Sequence, residues 1–173
     1  MKKGLVIVNT GDGKGKTTAA LGQAFRAMGY KYKVCVIQFI KGTWKYGELV
    51  SKDQFKDLLD FHVMGKGFTF KSENLEEDKK IALKGWEIAK SVLVSDKYFM
   101  VILDELTYLL IYKFIDINEV VECIKERRND LHVVITGRDA PQEIIEIADL
   151  VTEMRSVKHP LKQGIKAQKG IEF

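Results

Sequence analysis

The sequence contains only two cysteines and two prolines in 173 residues. Cys35 and Cys123 stand at no spacing that suits a metal cluster or a disulfide framework, so they read as reduced structural thiols. No Ser-, Gly- or Pro-rich stretch interrupts the chain, which leaves no linker, repeat or low-complexity tract. No apolar run approaches the ~20 residues that cross a bilayer. The apolar part of "MKKGLVIVNT" is too short for a signal peptide and runs directly into a glycine-rich loop. The net charge of +4 is mild, and it lacks the clustered basic face that nucleic acid calls for. These absences point to a cytoplasmic protein without membrane or nucleic-acid partners. Its size and its 46% hydrophobic content suit one domain over residues 1–173.

What the sequence does have is regular alternation. Short apolar runs occur at Leu5–Asn9, Val34–Phe39, Phe61–Met64, Met100–Asp104, Val133–Thr136 and Leu150–Met154. Rich in Val and Ile and without polar alternation, they read as strands covered on both faces, as in a parallel sheet. Longer amphipathic segments lie between them. Asn74 with Glu77, and Asp116 with Glu119, make capping-box patterns at the starts of helices over Leu75–Val94 and Ile117–Arg128. Lys125, Arg127 and Arg128 suit the negative end of the second helix. The expectation is an α/β fold, a mostly parallel sheet with helices on both faces. Ligands of such folds bind beyond the carboxyl ends of the strands.

The loop after the first strand reads "VNTGDGKGKTT". The common phosphate loop is G-x-x-x-x-G-K-[ST]. Here Gly15, Lys16 and Thr17, followed by Thr18, supply its end. Its first position falls on Thr10, with the glycine displaced to Gly11, and Asp12, Gly13 and Lys14 complete the turn. Successive N–H groups from Gly11 to Lys16 are expected to form an anion nest, facing the positive end of a helix over Thr17–Met28. Lys16 adds a mobile positive charge and Thr17 a hydroxyl for magnesium. "VILDE" then places Asp104 and Glu105 at the tip of a strand, where such carboxylates complete a magnesium site directly or through water. Arg138 follows the fifth strand and so faces the ligand edge, as a contact to ligand phosphate or ribose or as a surface salt bridge; Lys41 has the same standing. The expected ligand is a nucleoside triphosphate with Mg2+. Loop and fold alone do not name the reaction.

Further stretches narrow it. "QFIKG" follows the second strand, "GKGFTF" the third, and "TGRDAPQ…VKHPLKQGIKAQKGIEF" fills the end. With the displaced-glycine loop and "LDEL", these closely resemble the ATP:cob(I)alamin (corrinoid) adenosyltransferases over nearly the whole chain. The resemblance implies a RecA-like P-loop fold, ATP and a corrinoid as substrates, and transfer of a 5′-deoxyadenosyl group with intact tripolyphosphate leaving. It also implies an ATP held in reverse relative to ordinary phosphate-loop enzymes, a homodimer, and a flavin-type or other electron donor that reduces Co(II) to Co(I). Phe68 and Phe70 share one side of an extended segment. On spacing alone they fit a packed core; the resemblance implies that they press under the corrin ring and displace its lower ligand, with Phe70 standing where many relatives carry Trp. Lys158 and His159 fit packing or corrinoid-edge contacts. Some relatives close the site with an N-terminal segment, so closure here is expected from elsewhere or to be looser. The rivals are a phosphoryl-transfer enzyme, which would make ADP, and a non-catalytic corrinoid or nucleotide carrier.

Overall fold

The computed structural model describes residues 3–40, 46–65 and 75–173. Strand β1 (Val6–Thr10) leads through the glycine loop into helix α1 (Lys16–Gly29). Strand β2 (Val34–Gln38), the short helix α2 (Gly47–Ser51) and strand β3 (Leu59–Val63) follow. Helix α3 (Leu75–Val94), strand β4 (Met100–Asp104), helices α4 (Leu106–Ile111) and α5 (Ile117–Lys125), and strand β5 (His132–Thr136) come next. Helix α6 (Gln142–Ile147) and strand β6 (Leu150–Glu153) close the order.

The strands make one sheet of six, in the order β3-β2-β4-β5-β1-β6, and every pairing in it is parallel. Alternate residues of each strand enter opposite cores. Val6, Val8, Cys35, Ile37, Val101, Leu103, Val133 and Ile135 pack beneath the faces of α3 to α6. Ile7, Val34, Val36, Met100, Ile102 and Val134 pack against Ala20, Ala24, Ala27 and Met28 of α1. The small residues recur every three or four positions, so α1 lies close on the sheet. Helices therefore cover both faces, as expected, and Cys35 and Cys123 are free thiols.

The sequence reading departs from the structure at the margins. Strand β6 is not covered on both faces: all four of its residues are exposed, and among the described residues it pairs only with β1. β3, the opposite edge, is half-buried. The capping box of α5 is half formed. Asp116 accepts from the Asn118 N–H at 2.7 Å, but Glu119 turns to Trp86 Nε1 (2.8 Å) and Lys90 Nζ (3.1 Å) instead of reaching back. Residue Glu119 thereby ties α5 to α3, and a tertiary contact displaces the local one. Helix α5 ends at Lys125 rather than Arg128. Arg127 then donates to the carbonyls of Ile124, Leu131 and Gly4, satisfying the helix end and the loop beyond it. Asn74 lies outside the described residues.

The polar residues of the sheet gather at one end. Asn9 is opposite Thr136, and Gln38 opposite Asp104, each at the carboxyl end of its strand. Buried polar side chains there cost free energy unless they are hydrogen-bonded, and their bonds define the site.

Candidate active site

The glycine loop is shaped first by the chain itself. Gly11 and Gly15 have φ of 94° and 111°, a region that favours glycine. A Cβ on Gly13 would stand 2.7 Å from the Met154 carbonyl oxygen, so this glycine lets the loop lie against the chain leaving β6. The Gly13 N–H donates to Met154 O at 2.7 Å, the Met154 N–H to Thr10 O at 2.8 Å, and the Ser156 N–H to Asp12 Oδ1 at 3.1 Å. The expected nest thus loses one donor, since the Gly13 N–H is already committed. Thr10 also works structurally: its hydroxyl accepts from the Ala140 N–H at 3.1 Å. Neither Thr10 nor Gly11 is among the residues that line the neighbouring cleft.

Lys16, the first residue of α1, is only 7% exposed. Its ammonium donates to Gly11 O at 2.6 Å and Gly13 O at 2.7 Å, folding back over the loop. Burial lowers its pKa, Glu105 acts against that, and the nearby Arg138 charge adds to it. The side chain is a largely buried cation, in surroundings where low dielectric strengthens charge pairing.

Asp104 is fully buried beneath Thr17. Its Oδ1 accepts from the Thr17 hydroxyl at 2.8 Å and the Thr136 hydroxyl at 2.6 Å, and its Oδ2 from Gln38 Nε2 at 2.8 Å. Three donors from α1, β5 and β2 hold one carboxylate of β4. A hydroxyl that gives its proton to a carboxylate keeps its lone pairs free to face a cation. Glu105 has φ of 63° at the head of α4, its N–H donates to Thr136 Oγ1 at 3.0 Å, and it lines the cleft. Asp104 thus lies behind Thr17, whereas Glu105 faces the ligand space.

That space is a cleft of about 840 Å³ running from the loop to an apolar wall of Phe25, Phe55 and Phe61. Arg138, Tyr108 and His159 also line it. Sequence reasoning missed part of its border: Gly170–Phe173 forms one side, and Glu172 Oε1 meets Lys14 Nζ at 2.6 Å. The Lys14 bond and the Gln168 N–H hold the Glu172 carboxyl below its usual pKa. No local pattern marks this contact, because the partners are 158 residues apart. His159 Nδ1 accepts from the Leu161 N–H at 3.1 Å, a turn-capping role. Lys41, Phe68 and Phe70 lie outside the described residues.

An all-parallel sheet, a glycine loop entering a helix and a strand-end carboxylate on the loop's threonine define a RecA-like P-loop nucleotide-binding fold. The flagellar accessory protein FlaH from Methanocaldococcus jannaschii shares that fold, with a TM-score of 0.58 at 12% identity over 88% of this chain and 72% of that one. Within this class the chain belongs to the family described as ATP:corrinoid adenosyltransferase BtuR/CobO/CobP, whose model matches residues 2–173. It is 47% identical to a corrinoid adenosyltransferase of Sinorhizobium sp, over 99% of this chain and 81% of the relative. Against the corrinoid adenosyltransferase of Escherichia coli K12 the figures are 45%, 99% and 87%. The Salmonella typhimurium LT2 enzyme, corrinoid adenosyltransferase CobA, is 42% identical over 99% of this chain and 87% of its own length. The protein is accordingly an enzyme that transfers the adenosyl group of ATP to a corrinoid, and phosphoryl transfer is not favoured.

Proposed function

We propose that the glycine loop, Lys16, Thr17 and Arg138 bind the triphosphate of ATP as the leaving group of adenosyl transfer. In that reaction Co(I) of the reduced corrinoid supplies an electron pair to C5′, a Co–C bond forms, and the C5′–O bond breaks. The bonding pair stays on the phosphate oxygen, so tripolyphosphate leaves with added negative charge and no proton has to move. Catalysis then asks for positive charge fixed where that charge grows. Desolvated Lys16 carries the reading: an ammonium whose hydrogen bonds among the described residues go to backbone carbonyls of the loop can exchange them for a phosphate oxygen without crossing open solvent. Nucleophilic Ser, Cys or His is not required, because the nucleophile arrives with the corrinoid.

The donor set also fits magnesium. Oxygen groups suit this cation, which is commonly held by one or two protein ligands together with substrate phosphates. Among the described residues no cluster of three or more His, Cys, Asp or Glu side chains could hold a metal unaided. Thr17 would hold the ion, with Asp104 orienting the hydroxyl and Glu105, which also lines the cleft, serving directly or through water; bound there, Mg2+ would supply charge neutralisation of the triphosphate. Phe68 and Phe70 are assigned, by family resemblance, to the lower face of the corrin. Length and composition suit one domain over residues 1–173 and a cytoplasmic protein, and the resemblance supports a homodimer and a flavin-type or other donor that supplies electrons for Co(I). No helix among the described residues is long and apolar enough to cross a membrane.

The test mixes the protein with ATP, Mg2+ and chemically reduced cob(I)alamin. The expected outcome is an adenosylcobalamin spectrum with stoichiometric tripolyphosphate. Formation of ADP would return the site to phosphoryl transfer, and tight binding without turnover to a carrier.

A further inference from the structure

Behind the carboxylate of Asp104, the buried end of β2 holds a polar pair, Gln38 and Tyr46. Gln38 is fully buried, opposite Asp104 in the β2–β4 register. Its amide nitrogen donates to Asp104 Oδ2, and its amide oxygen accepts a short hydrogen bond from the Tyr46 hydroxyl. Tyr46 is itself only 7% exposed and stands immediately before α2, a helix with no buried residue of its own. Gly47, Glu48 and Ser51 of that helix line the cleft. A continuous chain therefore runs from the cleft wall through Tyr46 and Gln38 to Asp104, and on to the Thr17 hydroxyl.

The chemistry of an amide explains why both links are needed. Glutamine has a donor end and an acceptor end. Turned over, its oxygen would oppose the Asp104 carboxylate, acceptor against acceptor. A phenol that donates to the amide oxygen selects the orientation in which the NH2 group faces Asp104. Burial, followed by the charges of Glu48 and Asp104, raises the Tyr46 pKa, so the hydroxyl stays a proton donor. In a buried network each bond polarises the next, and a missing member leaves its neighbour unsatisfied.

We propose that Tyr46 and Gln38 are positioning residues for adenosyl transfer. Through Asp104 they aim the Thr17 hydroxyl at the triphosphate and its cation, and they anchor the α2 wall of the cleft to the same point. The inference rests on the assignment of Thr17 and Asp104 to the triphosphate end.

Tyr46→Phe removes a single oxygen and keeps the ring in place. It is expected to lower kcat/KM for ATP about tenfold, the scale of one lost buried hydrogen bond to a polar network. KM for the corrinoid should stay unchanged, because the network lies at the nucleotide end. Equilibrium affinity for a fluorescent ATP analogue with Mg2+, measured without corrinoid, should fall in parallel, and the melting temperature should move little. Gln38→Leu should behave in the same way. In a Thr17→Ala background, Tyr46→Phe should cost less than about twofold more, since no hydroxyl is left to aim. A full additional tenfold loss there, or an equal rise in both substrates' KM with a lowered melting temperature, would assign Tyr46 to packing alone and overturn the proposal. So would unchanged kinetics of Tyr46→Phe while Thr17→Ala is impaired. Near-normal activity of both Thr17→Ala and Asp104→Asn would remove the site assignment itself and this inference with it. Should Gln38→Leu fail to fold, the Tyr46–Thr17 cycle decides alone.

Discussion

The two sides of the cleft are built on opposite plans. Asp104 is interior: a fully buried carboxylate takes donors from three elements, and its partners are side chains, of which Thr17 reaches the cleft. The glycine loop is held mainly by backbone bonds to the chain leaving β6, a strand whose residues are all exposed. The first side owes its geometry to hydrogen-bond satisfaction in low dielectric, where an unpaired group is costly. The second owes it to close approach, which only glycine permits. Substitutions should therefore act through charge at the first junction they reach, through shape at the loop, and only weakly at the surface.

The largest expected effect is at Lys16, where the two plans meet. Lys16→Ala should lower the rate on preformed cob(I)alamin by about two to three orders of magnitude, the scale for losing one preorganised electrostatic contact. Near-normal single-turnover rates would detach the loop from the chemistry. Next comes shape. Gly13→Ala places a methyl group against the Met154 and Arg155 backbone, which cannot rotate away. A displacement of about 1 Å at a reacting centre can cost about a hundredfold, so a drop of that order in kcat is expected. Gly22→Ala is the matching control, because a Cβ there meets nothing within 4 Å in the middle of α1. It should keep activity and stabilise the fold by about 0.5–1 kcal/mol, read as a higher melting temperature. A Gly13→Ala enzyme as active as Gly22→Ala would erase the distinction between the two sides.

The smallest effect sharpens the comparison at its exposed margin. Glu172 pairs with Lys14, a lysine of the loop proposed to bind the triphosphate. Glu172→Gln is expected to lower KM for ATP about two- to fivefold, as suits a part-exposed ion pair. The gain should shrink as salt is raised. A higher KM would mean instead that Gly170–Phe173 is a wall the nucleotide needs.

Much of this was legible in the residues. The apolar runs and the helical pattern of the sequence fall within two residues of the strands and of helix α3, because runs such as "VCVIQ" and "VILD" are apolar without alternation and bounded by turns. The loop, Lys16 and Thr17 stand out because glycine, lysine and hydroxyl at fixed spacing have few other uses, and the pair Asp104 and Glu105 gains meaning only beside that loop. Exposure of β6 was not legible: "LVTEM" carries the same apolar signal whether it ends a sheet or lies inside one. The spacing of Glu119 fits a cap, yet Trp86 and Lys90 offer it partners that no local pattern announces. Tyr46 and Glu172 were hidden for the same reason, since each acquires its role from a residue that only the fold brings near.

The edge position of β6 has a consequence for dynamics. Its four residues pair with β1 alone, and the carbonyl that props the loop, Met154 O, comes directly after them. Edge segments open locally far more often than the sheet unfolds. Every such opening would release Gly13 and let the phosphate loop relax, so amide exchange at Gly13 should track the fraying of this strand. The share of molecules ready to turn over then follows a local opening equilibrium, separate from global stability. Mild warming would disarm the loop while the far-ultraviolet signature of the folded sheet stays intact.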